Sequence, residues 1–565
     1  MKIQAGQFIS SLMRTLGQKT RLAIIVIAFS NVQCFSANAI ELNVNAGSLL
    51  KQAEEGIKVP QSPDTNKVQK AAPIPDTSST DLKIQVSGFR FVGNTLLTSE
   101  QLSNVLSNFT NRMLSLAELK QAAEAVATAY REAGWTVRAF LPKQEVDNEI
   151  ITIQIIEAVF GGATLQGTNP NRIEANRLLQ MAEANLIKGK PLHAKKIDRA
   201  LLLMDDLPGI QVTGNLIEGS HDGETDIAIT VIDEDLVTGN ATTDNQGSPS
   251  TGINRLSSNI SINSPARIGD SLVINALKTN GVEYERISYS LPAGFDGWRL
   301  GAHASTLKYQ VIAQEFAALN PYGTATTAGV DVNYPLLRSQ LQNINISINY
   351  DDKKFSNTSN SIATTYDIKA YNFSINATQT DDWRGGGSTI ANIGITTGNK
   401  STESTFSKLN ISLSRLQNLS ADLSFYASLN TQLSNKNLDS SEKIYLGGAT
   451  SVRAYPSSEA GGSEGGTLTF EIRKRIAEKK TVTGFYDYGW ARANHDNNIT
   501  SPANPNNYSL RGYGFSLNWQ AARNIDLKTT LSRRLGENPV AQSNGMDSDG
   551  TKKITRIWLS AGVAF

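Results

Sequence analysis

The sequence runs out on RIWLSAGVAF, Arg556 to Phe565, in which Ile557, Leu559, Ala561, Val563 and Phe565 alternate with Arg556, Trp558, Ser560, Gly562 and Ala564. Side chains of a strand point alternately to opposite faces, so this period of two predicts an amphipathic strand. The same texture reaches back to about Leu236. NINISINY, Asn343 to Tyr350, sets Ile344, Ile346, Ile348 and Tyr350 against Asn343, Asn345, Ser347 and Asn349. Ala421 to Asn430 and Thr467 to Ile476 repeat the pattern. A soluble sandwich alternates as well; length separates the two. Roughly 330 residues, at about 20 per strand and turn, make about 16 strands, each able to supply the 9–11 residues of a tilted membrane-spanning strand. The polar face carries small uncharged residues and charges, which suits a wet lumen. A membrane β-barrel over residues 236–565 is expected.

Composition narrows the setting. The chain has 565 residues and balances 53 Lys and Arg against 52 Asp and Glu, so several domains fit and nothing calls for nucleic acid. No run of 18 apolar residues exists, which excludes helical membrane spans. Residues 1–39 read as a secretory signal peptide: Lys2, Arg14, Lys19 and Arg21 precede the apolar Leu22 to Phe29, and Ala37-Asn38-Ala39 precedes the cut. The single cysteine, Cys34, falls inside that segment. Gln33 is a poor residue to precede a lipoprotein cysteine, so the mature chain is expected to have neither disulfide nor thiol chemistry. Four histidines, His193, His221, His303 and His495, are scattered without metal spacing. Asp351-Asp352 and Asp381-Asp382 fit solvated turns better than acid/base pairs. No catalytic residue, metal or cofactor is expected, and no enzyme.

Between signal and barrel the order is a short helix (40–57), a Pro-rich linker (58–81) and a repeat. Leu82 to Val92 reads as a strand, Thr98 to Phe109 and Leu116 to Ala133 as helices, Trp135 to Leu141 and Glu149 to Glu157 as strands. The same β-α-α-β-β order returns from Ala163 to Asp233. Two copies in one order, 82–158 and 159–235, predict tandem α+β modules, each a small sheet with two helices on one face. Their free sheet edges can accept an extended segment of another chain.

Within the barrel region, residues 446–466 (LGGATSVRAYPSSEAGGSEGG) are too rich in Gly and Ser for an element of their own, yet hold Val452, Arg453, Ala454 and Tyr455 without interruption. Phe485-Tyr486-Asp487-Tyr488-Gly489 follows the next strand. Its alternation puts Phe485, Asp487 and Gly489 on the lumenal face and Tyr486, Tyr488 and Trp490 towards lipid. A loop folded into the lumen could set Arg453 on Asp487 in a forked pair, worth about 1–3 kcal/mol in a wet lumen. From these residues alone, an exposed loop arginine and an unrelated lumenal carboxylate fit equally well.

Taken together, the modules, the barrel, the VRAY loop and FYDYG resemble the haemolysin-activator type of two-partner secretion transporter, a branch of the outer-membrane assembly-factor superfamily. Asp206-Leu207-Pro208-Gly209, Thr243-Asp244-Asn245-Gln246-Gly247, Ile268-Gly269-Asp270, Gly447 to Tyr455 and Phe565 carry the resemblance, which covers nearly the whole mature chain. It implies two periplasmic POTRA domains, a 16-stranded barrel, an N-terminal helix plugging the pore, and Arg453 anchoring the infolded loop. It implies a monomer in the outer membrane of a Gram-negative cell, exporting one large unfolded exoprotein without ATP. The cargo would be a haemolysin, adhesin, haem-scavenging protein or growth inhibitor. The terminal Phe565 would be read by the barrel-assembly machinery. Ala454 departs from the usual VRGY or VRGF, where Gly stands. The rivals weighed are a barrel-assembly insertase, a passive porin or uptake channel, and a surface adhesin.

Overall fold

In the computed structural model, which describes residues 44–57, 83–146, 148–221, 223–497 and 505–565, the alternating segments close on themselves. Sixteen antiparallel strands form one barrel, from Val237–Asp244 to Thr555–Ala564, and those two pair with each other at the seam. Closure leaves no strand edge in the bilayer, where unpaired backbone groups are prohibitive. Gly239 and Phe565 exchange backbone hydrogen bonds of 2.8 and 2.9 Å there. Among the described residues no helix is long and apolar enough to cross a membrane. The expected signal peptide (1–39) and the expected linker (58–81) lie outside the described residues.

Several strands outrun a minimal span: Gln342–Ser359 and Ile362–Asp381 have 18 and 20 residues. Asp351-Asp352 therefore lies inside a strand and not in the expected turn, and Asp351 Oδ1 sits 2.9 Å from His303 Nε2 on the lumenal side. One part of the lumen differs from the wet, polar channel expected. Leu277, Tyr284, Leu307, Tyr309, Phe355 and Phe406 point inward and are buried. They form an apolar seat for helix α1 (Ala46–Ile57), whose Ala46, Leu49, Leu50 and Ala53 follow the helical spacing and pack there. Asn45 caps the helix, its Oδ1 accepting from Ser48 N at 2.9 Å. Asn357 Oδ1 receives Ala46 N at 2.8 Å.

The repeat folds as two modules. In the first, helices α2 (Ser99–Val105) and α3 (Leu116–Glu132) cover a three-stranded sheet of Gly88–Val92, Ile150–Glu157 and Val137–Phe140. The expected strand over 82–92 breaks at Ser87, because Lys83–Val86 pairs separately with Arg112–Ser115. The expected helix to Phe109 ends early and finishes in a 3₁₀ turn at Ser107–Phe109. In the second, α4 (Ala175–Asn185) and α5 (Ala194–Asp205) cover Val159–Gln166, Glu224–Asp233 and Ile210–Glu218. One device recurs in both modules. Glu157, closing the central strand of the first, accepts from Thr95 N at 2.7 Å and Leu96 N at 2.8 Å. Asp233 in the second accepts from Asn171 N at 2.8 Å and Arg172 N at 3.1 Å. Each carboxylate ties the end of the sheet to the start of the helical layer.

The second module is clamped to the barrel rim. Arg177 donates to Gly294 O at 3.1 Å, Arg199 to Pro335 O at 2.8 Å and to Asp296, and Arg338 makes a forked pair with Asp206 at 2.8 Å on both arms. Leu207 packs over Gly269.

Burial would raise the Glu157 carboxyl, but donors from Thr95, Leu96 and Tyr130 outweigh it and hold the group below its ordinary 4.5. Its contribution is therefore present above about pH 4.5 and lost as acid passes through the depressed value. Protection of the Thr95 and Leu96 amides, taken relative to their intrinsic exchange rates, is expected to be high at pH 7 and to fall below pH 4.5, whereas Glu157→Gln should already lower it at pH 7. A variant matching the wild type at neutral pH would remove this role.

Candidate functional site

The infolded loop starts from a neck after the strand Leu423–Ser434. Ile444–Leu446 and Ala460–Gly462 pair as a short hairpin, and Glu464, Gly465 and Gly466 already belong to the barrel strand Glu464–Ala477. The stretch expected as loop to residue 466 is thus partly strand, because the barrel ladder reaches up to Gly465 and leaves the hairpin to carry the loop. Between the hairpin arms, Val452, Ala454 and Tyr455 are buried against Leu446, Ala491 and Leu510.

Arg453 lies at the tip. Its Nε donates to Asp487 Oδ2 at 2.8 Å, Nη2 to Oδ1 at 2.7 Å, and its backbone N–H to Oδ2 at 3.0 Å. Nη1 donates to Glu471 Oε1 at 2.8 Å. The guanidinium carbon stands 3.4 Å from the Phe485 ring centroid, so the cation is also stacked on an aromatic face. The Arg453 carbonyl accepts from Ser532 Oγ at 2.6 Å and Trp558 Nε1 at 2.8 Å. Thr469 Oγ1 donates to Asp487 at 3.2 Å. Arg453 and Asp487 are 6% and 1% exposed; the pair expected in a wet lumen is dry, because the loop itself covers it. Alternation put Phe485, Asp487 and Gly489 on one face, and the structure brings all three to the loop, with Val452 over Gly489. Glu471, Ser532 and Trp558 escaped the sequence reading. Trp558 offered a signal, since it is an aromatic on the polar face of its strand.

Ala454, the departure from the usual motif, is absorbed without strain. Ser458, and not Ala454, is the non-glycine residue of this loop with positive φ, at 54°. The room comes from the same wall: Gly512 is the cross-strand partner of Asp487, and a Cβ on it would stand 2.4 Å from Ala454 Cβ.

Three further attachments hold the loop. In the neck, Glu442 takes Lys353 on Oε1 and Lys408 on Oε2, each at 2.8 Å, all three buried. On the far arm Glu459 accepts from Asn538 Nδ2 and from Ser548 N at 2.9 Å, tying the infolded loop to the loop between Ile525–Arg534 and the last strand. Burial, aided by Asp547, pushes the Glu459 carboxyl up to about 7. Ser457 Oγ donates to Gln246 O at 2.7 Å. Phe565 is 51% exposed and makes no contact with this cluster. Among the described residues no group of His, Cys, Asp and Glu could hold a metal ion.

Comparison with known proteins gives consistent matches. A family model described as haemolysin secretion/activation protein ShlB/FhaC/HecB matches residues 223–519, and a ShlB-type POTRA domain matches residues 84–158. The heme/hemopexin transporter protein HuxB of Haemophilus influenzae (strain 86-028NP) is 22% identical over 550 residues, covering 92% of this chain and 96% of its own. The outer membrane transporter CdiB of Dickeya dadantii is 24% identical over 398 residues, 66% of this chain and 70% of its own. The solved structure of CdiB from Escherichia coli superposes with a TM-score of 0.68 at 19% identity, over 92% of this chain and 96% of that one.

Gly512→Ala should unseat the loop tip and lower the barrel's unfolding temperature, and adding Ala454→Gly should restore most of the loss. Independent, additive effects of the two changes would show that they do not share this contact.

Proposed function

Because the chain belongs to the haemolysin secretion/activation family, outer-membrane transporters of two-partner secretion, we propose that it exports one large unfolded exoprotein through a pore closed at rest by two segments of its own chain. The POTRA modules face the periplasm and take up the exoprotein along a free sheet edge. Helix α1 is the plug, and the loop anchored by Arg453 is the second obstruction. The cargo is a haemolysin, adhesin or similar protein, and the transporter works as a monomer in outer-membrane lipid. Phe565 serves the barrel-assembly machinery during biogenesis.

The observation that carries this reading is the occupied lumen. A porin has no need to fill its channel with a helix seated on an apolar wall. The hold on that helix is modest. Leu49 and Leu50 contribute about 1.5–3 kcal/mol each on burial, and a helix of this length is marginal in water once it leaves its seat. A plug so held can be displaced by an arriving polypeptide and return.

Deleting Asn45 to Glu55 should raise single-channel conductance in planar bilayers while the barrel stays heat-modifiable on gels. Unchanged conductance would reject the plug. Arg453→Ala should leave a heat-modifiable barrel in the membrane and sharply reduce export of the exoprotein; normal export would mean the anchor is dispensable. Arg453→Lys should be impaired as well, since a lysine cannot make the forked pair.

A further inference from the structure

Between the loop tip and the rim that carries the second module, the lumen opens into a cavity of about 820 Å³. Ala449, Thr450 and Ser451 roof it, and the turn around Ser420 and Asp422 forms its lower edge. Its walls are mostly hydroxyls and amides, among them Ser424, Ser428, Asn430, Thr483, Ser516 and Asn518. One side follows the strand from Leu423 to Asn430, a run of roughly 20 Å at the rise of an extended chain.

The charges in this cavity do not balance. Arg453, Arg473, Arg475 and Lys528 face Glu471 and Asp422. Glu471 is fully engaged, Oε1 by Arg453 and Oε2 by Arg473 Nε, both at 2.8 Å. Asp422 pairs with Lys474. Arg475 donates to the backbone carbonyl of Ala421 and pairs with no carboxylate among the described residues. The Lys528 side chain makes no hydrogen bond or ion pair among the described residues. At the roof the shielded Ser451 hydroxyl has no hydrogen-bond partner among the described residues.

We propose that this cavity is a docking berth for an extended, acidic stretch of the exoprotein. Lys528 and Arg475 take Asp or Glu carboxylates, the wall hydroxyls and amides take backbone groups, and Ser451 meets the chain where it reaches the loop. This rests on the export function proposed above. The two cations are separate and the cavity is elongated, which fits a polypeptide carrying spaced carboxylates better than a compact inorganic anion needing convergent donors. Wet, single-charge contacts are weak and screened by salt. That suits transport, where each contact must form readily and be left again.

The test uses full-length protein with Cys34→Ser and Ser428→Cys, leaving one thiol in the berth wall. The probes are ten-residue peptides of alternating Glu-Ser, Gln-Ser or Lys-Ser, each bearing one activated disulfide. The Glu-Ser peptide is expected to couple to Ser428→Cys roughly tenfold faster than Gln-Ser at low salt, with Lys-Ser slowest. The preference should vanish in high salt and in Lys528→Gln/Arg475→Gln. Equal coupling of Glu-Ser and Gln-Ser, or a preference surviving in the double variant, overturns the berth. So does failure of every peptide to couple where a small thiol reagent labels the site. Export of the exoprotein is followed in cells with the same variants. A wild type that exports nothing removes the function reading. A wild type and a double variant that export equally fast remove the berth alone.

Discussion

A charge buried in the middle of a membrane pore is the constraint on which this structure turns. Removing one partner from a buried ion pair leaves the other uncompensated, at a cost of about 3–5 kcal/mol. Arg453 therefore cannot rest in the lumen unless Asp487 and Glu471 are both in register below it, and they stand on neighbouring strands paired Glu471↔Phe485 and Thr469↔Asp487. The loop in turn fixes its own surroundings. The Arg453 carbonyl holds Ser532 and Trp558 on the last two strands, so one loop residue ties four staves of the barrel together. The stacking on Phe485 dictates the side from which the guanidinium arrives.

The loop's attachments differ in kind. Its neck is ionic at Glu442 with two buried lysines, its tip is ionic at Arg453, and its far arm relies on neutral donors around Glu459. The neck also touches the helix, where Ser440 Oγ donates to Asn45 Oδ1 at 2.7 Å and Leu438 shares the apolar cluster of α1. Helix and loop are thus packed on each other as well as on the wall. Leu438 belongs to the helix's apolar cluster, whereas Glu442 pairs with Lys353 and Lys408 on the barrel wall.

How much of this was legible follows from the range of the interactions. Alternation is local, so the barrel strands, the modules and the faces of Phe485 and Asp487 could be read from the residues. The count of about 16 strands came from length alone. The apolar inner wall was not legible, because Leu277, Leu307 and Phe355 face a helix some 220 or more residues earlier; a strand apolar on both faces reads merely as hydrophobic. Asp351 looked like turn chemistry because its histidine partner is 48 residues away. Glu471 was visible on the polar face of its strand, but only the register shows that it lies beside Asp487. Ala454 reads from the residues only as a departure from the motif; the space for it comes from Gly512, paired with Asp487 on the next strand.

The short motifs that carried the family resemblance prove to be joints between parts. Asp206 of the second module takes Arg338 on the rim, and Leu207 packs on Gly269. Asp270, next in sequence, accepts from Tyr289 OH at 2.8 Å and from Ala266 N within the rim turn. Asp244, at the top of the first barrel strand, forks onto Arg255, and Gln246 receives Ser457 from the infolded loop. Asn245 reaches the last strand through Ile557 O and Leu559 N. Ionic and packing contacts therefore run from α5 to the rim, and along the first strand to the loop and the seam. Each joint is specific in its partners, whereas the strands between the joints need only alternate. The position of one buried arginine is thus set by joints at the rim, the first strand and the seam together with its carboxylate partners.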